Sequence, residues 1–143
     1  MNLNSIPAEA AAWAVGISTK NVLTLTRRGI LQGKREAIGE RKHSYFYDWN
    51  EMCFLAVLVR FQKKFHIQYT FSMDWKKSIQ DAMFKNIPFL IINSAGEVEP
   101  VGVKAEPLTM PIDLDKLLAH DAVILLNIRK LRSELYSKIE SWK

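Results

Sequence analysis

Lys20, Thr24 and Arg27 stand at i, i+4 and i+7, a spacing that gathers two cations and a hydroxyl on one face of a helix. Such a face suits recognition of base edges, where Arg or Lys pairs with guanine acceptors and Thr24 or the neighbouring Leu23 meets a thymine methyl. The alternative for the same three residues is a merely solvated face. A second cationic set, Lys34, Arg35, Arg41, Lys42 and His43, brackets Gly39. Cations so placed suit contacts to phosphate or to an adjacent minor groove, which add affinity more than specificity; on a hairpin they can equally be solubilising. Catalysis finds no comparable support. No paired-carboxylate, Ser/His/Asp, Cys/His or glycine-rich phosphate arrangement has a fitting context. His43, His66 and His120 are scattered over three segments, and Asp113 and Asp115 read better as helix-start residues than as acid–base groups. Neither an enzyme, a metal site nor a cofactor is expected.

The elements that must position those side chains are readable around them. Gly16 permits the positive φ that ends a helix spanning about Pro7 to Val15, in which Glu9 occupies the first turn. Ser18 is a good N-cap for a second short helix, with Val22 and Leu25 facing inward. Arg27 and Arg28 fall in its last turn, where cations complement the helix dipole, and Gly29 supplies the stop. Two short helices across a tight turn predict a helix-turn-helix, whose second helix enters the major groove. Ser18, Thr19, Asn21 and Arg28 belong to the same expected contact set; Asn21 either backs up the cap or donates to a phosphate. From Gln32 to Tyr47 the pattern predicts a two-stranded wing with its tip at Ala37-Ile38-Gly39-Glu40. In its closing strand Tyr45 joins the DNA-facing set and Phe46 is assigned to the core.

Charge placement agrees with a polyanionic partner. The chain has 143 residues, is 48% hydrophobic and 24% charged, and carries a formal net charge of +5. Residues 1–66 hold ten Lys and Arg against five Asp and Glu, whereas residues 67–143 balance ten against ten. The whole excess therefore lies in the half with the expected helix-turn-helix, although solvated charge alone can produce the same figure. Cys53 is the only cysteine and sits in an apolar run, which predicts a buried small hydrophobe and a reducing cytoplasm. The first residues lack the basic and apolar regions of a signal peptide, and no apolar run is long enough to span a membrane.

Downstream, Asp48 is placed to cap a helix from about Trp49 to Phe65, and Ser72 to Lys85 predicts another with Trp75, Ile79 and Met83 on one stripe. Phe89 to Ile92 predicts a strand, residues 93–96 a turn, and Val98 to Val103 a return strand that Pro100 confines to an edge. A long helix is then expected from Asp113 to Trp142. Its Ile124, Ile128, Leu131, Leu135, Ile139 and Trp142 follow steps of three and four, the seam for another helix. Homodimerisation through that seam is the expectation, with packing inside the chain as the alternative. The expected architecture is mainly α with small β-hairpins (α+β): a DNA-binding region over residues 1–86, and a hairpin plus long helix for dimerisation or partner binding over 87–143.

Gly16-Ile17-Ser18, Gly29-Ile30-Leu31 and Phe46-Tyr47-Asp48-Trp49-Asn50-Glu51-Met52 carry a family likeness over roughly residues 5–85. They resemble the MerR-like winged helix-turn-helix, whose members read G-V-S-x-x-T-L-R-Y-Y-E-x-x-G-L-L and then Y-R-x-Y-x-x-x-D-L. The family's R-Y-Y falls on Leu23-Thr24-Leu25 and the wing's Y-R on Ser44-Tyr45, so the usual arginine and tyrosine contacts shift to Lys20, Thr24, Arg27 and the wing cations. The compact excisionase-like and phage-type branches are the nearest in kind. The resemblance implies a sequence-specific regulator of transcription, most simply a repressor, bound as a dimer to double-stranded DNA over a roughly palindromic site. Two alternatives stay open: a protein-interaction adaptor, such as a toxin–antitoxin or phage-assembly component, and an excisionase-like factor that bends DNA.

Overall fold

In the computed structural model, residues 2–66, 76–84, 89–93, 98–101 and 123–142 are described. They form an α+β arrangement of helices and two three-stranded antiparallel sheets, within two compact units. The first unit comprises Met1–Met73 with Glu134–Lys143, and the second Asp74–Ser133.

In the first unit, β1 (Ile6–Pro7) leads directly into α1 (Ala8–Val15). Five alanines of α1 are buried, and their small side chains let neighbouring helices approach closely. Gly16 adopts φ 74° and closes α1: the N–H of Ile17 donates to the Ala12 carbonyl at 3.1 Å and that of Gly16 to the Trp13 carbonyl at 3.3 Å. These paired bonds satisfy carbonyls that the helix end would leave open. Then α2 (Thr19–Arg27) begins on Ser18, whose Oγ accepts from the Asn21 N–H at 3.1 Å. It stops by the same device, with Gly29 at φ 76°, Ile30 N–H on the Leu25 carbonyl and Gly29 N–H on that of Thr26.

A hairpin follows, β2 (Lys34–Ala37) and β3 (His43–Tyr47), in which Ala37 faces His43. The Ile38 N–H donates to the Lys42 carbonyl, so the tip spans 38–42 and not 37–40. The third strand is β1, paired as Ile6 with Tyr47, which makes β3 the central strand. Within β3 the core residue is Tyr47, 1% exposed, whereas Phe46 is only half-buried. The assignment of Phe46 to the core is thereby corrected: strand alternation gives the odd-numbered side chains the face that meets α2. Asp48 then caps α3 (Trp49–Phe65), accepting from the Glu51 N–H at 2.8 Å. Cys53 is buried within α3.

In the second unit, α4 (Lys76–Phe84) buries Ile79; the expected helix start at Ser72, Trp75 and the end at Lys85 lie outside the described residues. Strands β4 (Phe89–Asn93) and β5 (Val98–Val101) pair as expected, with Pro100 in an edge strand. The expected turn at 94–96, the end of the return strand and the helix start at Asp113 also fall outside them.

The long C-terminal helix is corrected. Val123–Asn127 is a strand, β6, lying antiparallel on β4 with Ile124 opposite Ile92. The helix is α5 (Ile128–Ser141), which starts where the Asn127 side chain accepts from the Lys130 N–H at 3.0 Å. The run Val-Ile-Leu-Leu carries enough β-forming, apolar character to complete a sheet, and Asn127 marks the change of conformation. Ile124 therefore does not share the helical seam. Ile128, Leu131, Leu135 and Ile139 are buried within the single chain and Trp142 is half-buried, so four of the six expected dimer contacts are already covered. Within the first unit, Tyr136 of α5 meets Trp49 of α3 edge to face, and Glu134 pairs with Arg60 at 3.5 Å.

Candidate nucleic-acid interface

Three long-range contacts hold α2 against its surroundings. The Tyr47 hydroxyl lies 2.6 Å from Thr26 Oγ1, which itself donates to the Val22 carbonyl at 2.9 Å. Because the threonine proton is committed to Val22, the tyrosine is the donor to Thr26. Burial, the largest cause, pushes the Tyr47 phenol above its ordinary value of 10.0. Beyond the helix, buried Glu51 accepts from the Gln32 N–H at 2.9 Å, fastening the segment after α2 to the start of α3. Before it, Lys63 donates to the Gly16 carbonyl at 2.6 Å, fastening the α1–α2 turn to the end of α3. Thr26, Gln32, Tyr47, Glu51 and Lys63 are thus positioning residues absent from the sequence-derived set. Gly33 joins them: a Cβ there would lie 2.9 Å from ring atoms of both Tyr45 and Tyr47, so the chain passes directly over the two rings.

On this frame Ser18, Lys20, Asn21, Thr24, Arg27 and Arg28 are all exposed, and Thr19 is half-buried. Ser18 and the Asn21 backbone are used in the cap. Thr24 donates its hydroxyl proton to the Lys20 carbonyl at 2.9 Å, which leaves an acceptor lone pair and a methyl group for any ligand. Alternation divides the hairpin cations. Arg35, His43 and Tyr45 share the face towards α2, whereas Lys34 lies on the other face and pairs with Glu36 at 3.4 Å.

Arg27 of α2, Arg35 and His43 of the hairpin strands and Arg41 of its tip line one cleft of about 460 Å³, with Thr19 and Glu9 also on its walls. Lys20, Thr24 and Lys42 are not among its lining residues. Among the described residues, none of Arg27, Arg35 and Arg41 has a carboxylate within ion-pair distance. Three guanidinium groups around a concavity, none in an ion pair among the described residues, favour an anion, and their planar forks match phosphate oxygens. No three His, Cys, Asp or Glu side chains among the described residues gather as a metal site, and no described helix is long and apolar enough to cross a membrane.

Compared with known proteins, the chain matches no family model and no curated relative.

Proposed function

We propose that this chain is a winged helix-turn-helix protein that binds double-stranded DNA and regulates transcription in the cytoplasm. In that role α2 is the recognition helix and the β2–β3 hairpin is the wing. One observation carries the proposal: exposed Lys20, Thr24 and Arg27 share a capped helix whose flank opens on the same cleft as Arg35, Arg41 and His43 of the hairpin. The likeness to MerR-like sequences at the α1–α2 turn, the end of α2 and the start of α3 supports it, as does the positive charge of residues 1–66.

Lys20 and Thr24 stand on the convex edge of α2 and reach base edges in the major groove. The hairpin lies on the adjoining backbone. With the helical seam covered inside the chain, one chain reads one short site, and a palindrome is not required. Selection of bound duplexes from a random pool tests the proposal. An enriched motif that Lys20→Ala relaxes at one or two positions is the expected result; recovery of no motif and no measurable duplex binding would refute it.

A further inference from the structure

We propose that the cleft between α2 and the hairpin seats a single phosphodiester strand, with Arg27, Arg35 and Arg41 acting together on its phosphates. Arg27 is then a phosphate ligand and not a base reader. The inference rests on the duplex-binding role above and assigns the chemistry of one part of that surface.

Shape separates the two kinds of contact. Base edges line the floor of a groove and are reached by a convex helix edge, where Lys20 and Thr24 stand outside the cleft. A concavity of about 460 Å³ instead admits something that protrudes. The part of a duplex that protrudes between its grooves is the sugar–phosphate ridge. Charge agrees with shape, since among the described residues the three arginines have no carboxylate partner, and His43 and Thr19 bring further polar groups to the same walls. Among the described residues Glu9 is the one carboxylate on the lining, and it lowers the local positive charge. That balance suits diester phosphates, each carrying one negative charge, better than a free phosphate dianion.

The test uses the selected duplex in a series of copies, each with one phosphate replaced by an uncharged methylphosphonate. Binding is measured for the full-length wild type, Arg27→Ala and Arg35→Ala. Neutralising one or two adjacent linkages is expected to weaken the wild type about tenfold and each variant less than about twofold, since its ligand is already missing. Arg27→Ala is also expected to weaken all duplexes alike, leaving their rank order unchanged. If duplex is bound but no linkage behaves this way, or if Arg27→Ala reorders sequence preference, the phosphate role is overturned while duplex binding stands. Saturation by inorganic phosphate below about 1 mM, followed through the His43 ring signals, would assign the cleft to a free anion and also overturn it. Absence of duplex binding by the wild type overturns both proposals.

Discussion

Tyr47 shows how one polar atom ties a candidate recognition helix to a sheet. Its hydroxyl is the donor to Thr26, so Tyr47→Phe removes the bond and leaves Thr26 still bonded to Val22. A loss of about 1 kcal/mol in unfolding free energy, read by denaturant titration, is expected. The pH dependence has a definite sign. With the folded phenol raised above 10.0, the unfolded chain ionises first, so this contribution is intact below pH 10.0 and declines as pH rises beyond it. Tyr47→Phe should therefore lose less stability than the wild type between pH 10.0 and the higher folded value, measured by thermal unfolding across that interval. None of this is readable from local sequence, because Thr26 and Tyr47 are 21 residues apart and alternation fixes only which tyrosines share a face. Ser18 and Asp48 are different. Each satisfies an N–H three residues ahead, so their capping roles are legible from neighbouring residues alone.

Glycines divide the elements into two physical cases. Gly16 and Gly29 both hold positive φ at helix ends, and an alanine at either pays about 1–2 kcal/mol for the left-handed backbone. At Gly29 nothing lies within 4 Å of an added Cβ, so Gly29→Ala measures that strain alone. At Gly16 the added Cβ meets Lys63 Nζ at 3.1 Å, so Gly16→Ala should cost slightly more and disturb the tie between the turn and α3. Gly33 differs because its hindrance is steric: Gly33→Ala must push Tyr45 and Tyr47 away from the segment that leads into β2. A stability loss of about 1–3 kcal/mol is expected, with a larger fractional loss of duplex affinity because Tyr45 lines the cleft. Helix ends with caps and αL glycines were legible as elements for this reason: their signals are consecutive in the chain. β1 was not, being two residues long, and β6 was not, because Ile124, Ile128 and Leu131 keep helical spacing across a change of conformation. Pairing with β4, thirty or more residues earlier in the chain, is what holds β6 as a strand against that helical spacing.

At the scale of the whole molecule, charge and burial make separate predictions. About four phosphate contacts from one chain should lower duplex affinity by about two decades between about 50 and 200 mM salt, read by anisotropy titration, and a flat response would contradict backbone contact. Burial bears on the assembly state. Leu135 is 3% exposed and Ile139 is fully buried with no second copy present, and the turns that carry them belong to the first compact unit. A seam that served a homodimer would instead leave such residues open in one chain. Leu135→Ala should therefore cost about 2–5 kcal/mol of folding stability, the penalty for a cavity in a packed interior. Its melting temperature should fall by the same amount at every protein concentration, since a unimolecular transition does not depend on concentration. A melting temperature that climbed with wild-type concentration, and lost that dependence in Leu135→Ala, would return these side chains to a subunit interface.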